Sequence, residues 1–96
     1  MNISLNNYNA IVCGSTQGIG KACALELANL GAEVILVARN ENKLQQAIAE
    51  LPAQNGQHHQ YIVADFADPN NVKNQVHTSL QQYTKPIHIL INNTGG

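Results

Sequence analysis

Residues 10–21 read Ala10-Ile11-Val12-Cys13-Gly14-Ser15-Thr16-Gln17-Gly18-Ile19-Gly20-Lys21, and this stretch decides the fold. An apolar run precedes the glycines, and a segment with helical periodicity follows them. This order predicts a buried strand, a glycine-rich turn and then a helix. Glycines leave room for a ligand to come close, and the first N–H groups of the helix lie at the positive end of its dipole. The stretch therefore predicts a site for a pyrophosphate.

The glycine spacing, G-x-x-x-G-x-G, separates this turn from the P-loop. A P-loop reads G-x-x-x-x-G-K-S/T, because its lysine and hydroxyl both serve the bound phosphates. Gly20-Lys21 fits part of that pattern, but Ser15 stands at its first glycine and Ala22 at its last position, so a P-loop is excluded. The alternative from this stretch alone is a turn that only joins a strand to a helix, since short motifs give false positives.

Composition limits the classes of partner. The 96 residues carry a formal net charge of −1, which gives no electrostatic reason to expect a nucleic acid or an anionic membrane. No apolar run approaches the roughly 18 residues that span a bilayer, and residues 1–7 lack the pattern of a signal peptide. We expect Cys13 and Cys23 to be reduced, buried thiols, and the protein to be cytoplasmic.

Apolar periodicity predicts alternating strands and helices along the whole chain. Short continuous apolar runs predict buried strands, and three- to four-residue spacing predicts amphipathic helices. The predicted strands are 10–12, 33–38, 61–64 and 87–91, and the first two predicted helices are 18–30 and 41–51. The third helix is predicted to open at Asp68-Pro69 and to be broken by Lys85-Pro86. The order β-α-β-α-β-α-β predicts an α/β fold, a Rossmann-type doubly wound parallel sheet with strand order 3-2-1-4.

Side-chain types predict how the helices begin and which faces they bury. Asn40 and Asp68 are expected to cap the second and third helices. The first helix is expected to bury Ile19, Ala22, Cys23, Leu27 and Leu30. The third is expected to lie on the opposite face of the sheet and to bury Val72, Val76, Leu80 and Tyr83, while Asn71 stays solvated. With no third metal ligand nearby, we interpret His58-His59 as an exposed loop.

The glycine motif in this context resembles the short-chain dehydrogenase/reductase family, whose fingerprint reads T-G-x-x-x-G-I-G. Cys13 stands where that family usually has threonine. The resemblance implies that the turn cradles the pyrophosphate of a cofactor through Gly14, Ser15, Thr16, Gln17, Gly18, Ile19 and Gly20. It covers essentially the whole chain but only the cofactor half of the family, so residues 1–96 are expected to form a single, incomplete Rossmann domain.

The residue after the second strand selects between the two nicotinamide cofactors. An acid about 20 residues after the glycines bonds the ribose 2′-hydroxyl of NAD. Here that position holds Arg39, followed by Asn40, and a guanidinium can bind a 2′-phosphate with paired hydrogen bonds. We expect NADP(H) to be preferred over NAD(H), with both residues in its site. The alternative is a solvated arginine at a strand end, and Gln17 supplies no second positive charge.

Two further strand ends match the family. The resemblance implies that Asp65 bonds the adenine amino group and that Phe66 lines the adenine slot. The alternative for Asp65 is a local role in ending the strand. Asn93-Thr94-Gly95 stands where the family has N-A-G, which implies contacts with the ribose and the nicotinamide side. Because open parallel sheets bind ligands past the carboxyl ends of their strands, we expect all these residues at one edge.

The resemblance also implies a reaction, hydride transfer between NADP(H) and a carbonyl or alcohol, as in 3-oxoacyl-acyl-carrier-protein reductases. The family's catalytic tyrosine has a lysine four residues later, and none of the three tyrosines here does. We therefore assign no catalytic residue and no metal ligand. The intact protein is expected to act on a small-molecule or acyl-thioester carbonyl, without nucleic acid or membrane, as a homodimer or homotetramer.

Length leaves two classes of function open. A complete doubly wound dinucleotide fold needs two halves, and 96 residues have room for one. We expect the cofactor-binding portion of a longer reductase; the alternative is a nucleotide-binding module or a non-catalytic fragment without turnover. An epimerase-like relative is disfavoured, because such proteins space their glycines G-x-x-G-x-x-G. Alone, the chain is expected to leave its fourth strand unpaired and to be marginally stable or to associate.

Overall fold

The computed structural model describes residues 4–14, 18–54 and 56–92, which form four strands alternating with three helices. The strands are β1 Asn9–Cys13, β2 Glu33–Ala38, β3 Gln60–Val63 and β4 Ile89–Asn92. The helices are α1 Gly18–Asn29, α2 Glu41–Glu50 and α3 Pro69–Gln82. This is the predicted order of elements, and each boundary agrees with the predicted one within two residues.

The strands form one parallel sheet in the order β3-β2-β1-β4, which confirms the predicted topology. β1 lies between β2 and β4, with Ala10 opposite both Val34 and Ile89. β2 pairs on its other side with β3, where Leu36 lies opposite Tyr61. Since parallel strands all end at the same edge, the residues that follow them come together there.

Helices cover the two faces of the sheet over separate apolar clusters. On one face, α1 and α2 pack around Leu36 and Leu44, which are both fully buried. On the other face, the buried cluster includes Ile11 and Ile35. The predicted apolar stripe packs on this second cluster. It consists of Val72, Val76 and Leu80 in α3 and of Tyr83, which follows the helix. The prediction that the third helix crosses to the opposite face is confirmed.

The buried face of α1 differs from the predicted one. Its buried residues are Gly20, Ala24 and Ala28, whereas Ile19 is 71% exposed and Ala22 is exposed as well. The other residues of the predicted face are half-buried, namely Cys23, Leu27 and Leu30. Small residues at every fourth position let the helix approach the sheet closely, and this close packing outweighs the burial of the larger Ile19.

Side-chain caps start α2 and α3, as predicted. The Asn40 Oδ1 atom accepts the N–H of Lys43 at 3.0 Å. The Asp68 Oδ1 atom accepts the N–H groups of Asn70 and Asn71 at 3.1 and 3.2 Å. These bonds satisfy donors that the first turn of a helix leaves unpaired. They fix the path of the chain just beyond the carboxyl ends of β2 and β3.

The interpretation of His59 as part of an exposed loop is wrong. Its half-buried ring accepts the N–H of Val34 at Nδ1, at 3.0 Å, and its Nε2 lies 2.8 Å from the carbonyl oxygen of Pro52. The ring therefore connects the start of β2 to the end of α2. The neighbouring His58 is exposed, as predicted. The contact with Val34 spans 25 residues of sequence, so it leaves no local signature.

β4 has no strand on its outer side among residues 4–14, 18–54 and 56–92. Its Leu90 lies opposite Ile11 and is 68% exposed, because α3 packs over β3 at the other end of the sheet. Within the same residues, no helix is long and apolar enough to cross a membrane.

Candidate functional site

The carboxyl ends of β1, β2 and β3 bring three of the predicted site segments together. The N–H of Gly14 donates to the carbonyl of Val37 at 2.8 Å, and the residue after β3 donates likewise to the last residue of β2 at 2.9 Å. These bonds continue the parallel pairing past the strand ends. Gly14, Arg39 and Asp65 therefore follow three neighbouring strands along one edge, where open parallel sheets bind ligands.

Two glycines give the turn after β1 a backbone that other residues rarely adopt. Gly14 has a φ of 72° and Gly18 a φ of 60°, both in the left-handed region. A Cβ atom on Gly18 would meet no atom of the described residues within 4 Å, so these residues leave the space beside the turn open. These features fit a turn that admits a pyrophosphate to the start of α1. The predicted contacts Ser15, Thr16 and Gln17 lie outside the described residues.

Ile19 and Gly20, which follow Gly18 in α1, differ in burial. Gly20 is buried on the sheet side of the helix, and Ile19 is exposed beside the glycine turn. An isoleucine this exposed is unusual for its residue type, and its apolar surface is available to a ligand seated on the turn.

Arg39 and Asn40 lie just past the end of β2, and both are exposed. Within residues 4–14, 18–54 and 56–92, Arg39 takes part in no hydrogen bond or ion pair. The side-chain oxygen of Asn40 is used in the cap of α2, so its amide nitrogen is the group left for a ligand. The pair thus presents one permanent positive charge next to the glycine turn.

Asp65 makes local hydrogen bonds at the end of β3, in agreement with the alternative interpretation of this residue. Its Oδ1 atom accepts the N–H of Ala67 at 2.9 Å, and its own N–H donates to Asn71 Oδ1 at 2.9 Å. Asn71 was expected to be solvated, but it is half-buried and holds this loop. The second carboxylate oxygen of Asp65 makes no hydrogen bond within the part of the chain described. Phe66 is half-buried against the cluster under α3.

β1 and β4 end side by side, with Cys13 opposite Asn92. The predicted contacts Asn93, Thr94 and Gly95 follow directly and lie outside the described residues. Cys13 and Cys23 are free, half-buried cysteines. Burial raises the pKa of the Cys13 thiol, so it stays protonated at neutral pH and adds no charge to this edge.

The opposite, amino edge of the sheet holds a cavity of about 490 Å³, whose charged lining residues bind each other. Glu33 is 5% exposed and accepts hydrogen bonds from the Tyr83 hydroxyl at 2.6 Å, the His58 N–H at 2.9 Å and the Lys85 ammonium at 3.0 Å. Burial alone would raise the pKa of Glu33, but these donors outweigh it and lower that pKa. These hydrogen bonds and the ion pair offset the cost of burying the carboxylate, and a structural role accounts for the cluster, so we place the candidate site at the carboxyl edge.

Hydrogen bonds that were not predicted from the sequence join Tyr61 in β3 to two side chains of α2. The Tyr61 hydroxyl donates to Glu41 Oε2 at 3.1 Å and accepts from Gln45 Nε2 at 3.2 Å. The four-residue spacing of Glu41 and Gln45 indicates a shared helix face, which is visible in the sequence. That Tyr61 faces the same side follows only from the pairing of β2 with β3.

Comparison with known proteins shows to which family of Rossmann-type proteins this chain belongs. The family model described as short chain dehydrogenase matches residues 8–96. The chain belongs to the short-chain dehydrogenase family. The match includes the glycine turn and the ends of all four strands, so the family resemblance found in the sequence is confirmed.

Curated short-chain dehydrogenases similar to this chain are much longer. The very-long-chain 3-oxoacyl-CoA reductase of Anas platyrhynchos is 40% identical over 86 residues, which cover 90% of this chain and 27% of that protein. The inactive hydroxysteroid dehydrogenase-like protein 1 of Homo sapiens is also 40% identical over 86 residues, covering 90% and 26%. The chain spans about a quarter of the length of these relatives.

Solved structures of the family share this fold. L-Sorbose reductase from Gluconobacter frateurii, in complex with NADPH and L-sorbose, matches with a TM-score of 0.86 and 32% identity, covering 100% of this chain and 36% of that one. An oxidoreductase from E. coli matches with a TM-score of 0.87 and 27% identity, covering 100% and 40%. The Rossmann-type fold class predicted from the sequence is confirmed.

Proposed function

We propose that the intact protein is an NADP(H)-dependent oxidoreductase of the short-chain dehydrogenase type, which transfers a hydride between the nicotinamide and a carbonyl or alcohol. The observation that carries the proposal is Arg39, exposed past the end of β2 and unpaired within the described ranges. A guanidinium beside the glycine turn suits a ribose 2′-phosphate, to which it can donate two parallel hydrogen bonds. When bound, the nicotinamide cofactor supplies the hydride chemistry.

The residues of this chain hold and orient the cofactor. Gly14 and Gly18 let a pyrophosphate approach the positive end of the α1 dipole. Arg39 binds the 2′-phosphate, and the remaining carboxylate oxygen of Asp65 accepts a hydrogen bond from the adenine amino group. Support comes from the similar L-sorbose reductase, whose structure contains NADPH. Contacts from Ser15, Thr16, Gln17, Asn93, Thr94 and Gly95 remain predictions.

The proposed substrate is a small-molecule or acyl-thioester carbonyl. The similar protein of Anas platyrhynchos is named as a very-long-chain 3-oxoacyl-CoA reductase, and the L-sorbose reductase structure contains L-sorbose. Both names support a carbonyl compound as the class of substrate. No catalytic residue is assigned among the 96 residues. For the intact protein we propose a homodimer or homotetramer in the cytoplasm, and the free cysteines Cys13 and Cys23 fit a reducing compartment.

A nucleotide-binding module without turnover is the second candidate. It is favoured by one of the similar proteins, whose name calls it inactive. Both candidates bind NADPH, but only the oxidoreductase consumes it. Following the loss of NADPH absorbance with a panel of ketone and 3-oxoacyl thioester substrates separates the two.

Replacing Arg39 with aspartate is expected to weaken NADPH binding by about 10- to 100-fold, because a charge-assisted pair is lost and a repulsive carboxylate replaces it. NADH lacks the 2′-phosphate, so its affinity should change by no more than about two-fold. Both dissociation constants can be measured by calorimetric titration of the intact protein.

Lys73→Asp provides a control with the same change in charge, since Lys73 is exposed on α3, which packs on the other face of the sheet. It should leave both affinities close to those of the wild type. If Arg39→Asp weakened NADPH and NADH binding equally, Arg39 would not bind the 2′-phosphate.

Replacing Gly18 with alanine is expected to lower the free energy of unfolding by about 1–2 kcal/mol, because alanine is strained in the left-handed region. Its Cβ would also enter the open space beside the turn, so NADPH affinity should fall. Urea unfolding measures the first effect and calorimetric titration the second.

Gly56→Ala is the matched control for Gly18→Ala. Gly56 has a φ of 74°, and a Cβ there would also meet no described residue within 4 Å, but Gly56 lines the cavity at the amino edge. We expect a similar loss of stability with unchanged NADPH affinity. Equal losses of affinity in the two variants would show that backbone strain alone, and not the glycine turn, controls binding.

A further inference from the structure

The hydroxyl of Tyr61 bonds two side chains of α2, a helix that begins two residues after Arg39. It donates to Glu41 Oε2 at 3.1 Å and accepts from Gln45 Nε2 at 3.2 Å, so both of its hydrogen-bonding roles are in use. Glu41 follows Arg39 by two residues, yet no ion pair joins them in residues 18–54 of the structure. The nearest acid in sequence is thus bound to a neutral hydroxyl instead of to the exposed guanidinium.

The ring of Tyr61 can hold Glu41 because it is anchored itself. Tyr61 lies opposite Leu36 in the pairing of β2 with β3, and its half-buried ring packs against the apolar cluster under α1 and α2. Gln45, one turn after Glu41 on the same side of α2, donates a second hydrogen bond to the hydroxyl. The hydroxyl is therefore held by the fold where it donates to an exposed carboxylate.

A released Glu41 would compete with a phosphate for Arg39. Carboxylate and phosphate both accept the paired N–H groups of a guanidinium, so occupation by one excludes the other. We propose that Tyr61 is a positioning residue for cofactor specificity: it holds the Glu41 carboxylate away from Arg39 and so keeps the guanidinium available to a 2′-phosphate. The inference rests on the proposed function, since it requires NADP(H) at this edge of the sheet.

Replacing Tyr61 with phenylalanine keeps the anchored ring and removes only the hydroxyl. The freed carboxylate should then pair with Arg39 part of the time, with the strength of an ordinary surface ion pair. NADPH affinity is expected to fall by about two- to five-fold while NADH affinity stays unchanged. Calorimetric titration of the intact protein with each nucleotide, at low and high salt, measures both affinities, and the difference should shrink at high salt.

A double variant tests whether Glu41 causes the loss of NADPH affinity. In the double variant Tyr61→Phe, Glu41→Gln the side chain at position 41 has no charge with which to occupy Arg39, so NADPH affinity should return to at least the wild-type value. Tyr83→Phe is the matched control, because it removes a hydroxyl from a glutamate at the opposite edge of the sheet. It should leave the ratio of the two affinities unchanged.

The outcomes separate this inference from the proposed function. If Arg39→Asp selectively weakens NADPH binding but Tyr61→Phe leaves the affinity ratio unchanged, the role of Tyr61 is wrong and the proposed cofactor stands. A double variant that stays as weak as Tyr61→Phe also overturns the role, since Glu41 would not mediate the effect. If wild type binds both nucleotides equally and Arg39→Asp changes neither affinity, the cofactor preference itself is wrong, and the inference with it.

Discussion

Replacing Leu36 with alanine is expected to lower the free energy of unfolding by about 2–5 kcal/mol, the range for truncating a large, fully buried aliphatic side chain. Leu36 has no exposed surface and lies in β2, which has a strand on each side and helices over both faces. The surrounding side chains cannot collapse into the space that is left, because strands and helices hold them on every side. Urea unfolding followed by circular dichroism measures the change.

Leu90→Ala is the matched control for Leu36→Ala, because it makes the same substitution in β4 at a side chain that is 68% exposed. We expect a change within about 0.5 kcal/mol, as for most surface substitutions. If Leu36→Ala unfolds the protein completely, Ile35→Val in the second cluster gives a smaller step, with an expected loss of about 0.5–1.5 kcal/mol. Equal effects of the two leucine substitutions would contradict the assignment of Leu36 to the centre of the core.

The order of elements could be predicted because its signals are local. The continuous apolar run of β2 and the caps of α2 and α3 each involve residues within a few positions of one another. The strand order then follows from the right-handed crossovers that parallel strands require, together with the glycine motif at the first turn. Each of these steps depends on backbone geometry more than on particular side-chain contacts.

The buried face of α1 and the roles of Glu33 and His59 could not be predicted in the same way. In α1, apolar residues occur on most sides, so periodicity alone could not show that Gly20, Ala24 and Ala28 face the sheet. An acid at the start of apolar β2 was a signal for buried pairing, but Tyr83, the partner of Glu33, is 50 residues away. Such contacts depend on how distant elements meet, which the sequence specifies only through the whole fold.

The candidate site shows the same division. The positions of Gly14, Arg39 and Asp65 past neighbouring strand ends follow from the topology, and the structure places them there. The turn that engages Asp65, and the bond from Tyr61 to Glu41, depend on loop geometry and on the register between β2 and β3. The Arg39 and Tyr61 variants test the proposed preference for NADP(H) at this edge.

Acid is expected to destabilise the protein through Glu33. Hydrogen bonds from Tyr83, His58 and Lys85 overcome the effect of burial and lower the pKa of Glu33 below its ordinary value of 4.5. A carboxyl whose pKa is lower in the folded state contributes stability that is present above the pKa of the unfolded chain and is lost as the pH falls through the folded pKa. The free energy of unfolding should therefore decline below about pH 4.5, and urea unfolding across a pH series measures this decline.

Glu33→Gln should remove much of this acid sensitivity together with some of the stability at neutral pH. The neutral amide cannot form an ion pair with Lys85. Its –NH₂ group is also a donor and would face the donors that surround Glu33. We therefore expect the free energy of unfolding at pH 7 to fall by about 1.5–3 kcal/mol. The exposed side of Lys85 keeps the loss from being larger, since water screens that partner. Glu50→Gln is the matched control, because Glu50 is half exposed in a surface pair with Lys21, where a change of no more than about 1 kcal/mol is expected. If the Glu33 variant kept the full acid sensitivity of the wild type, other carboxyl groups would be responsible, and the buried cluster at the amino edge would contribute little to the pH dependence of folding.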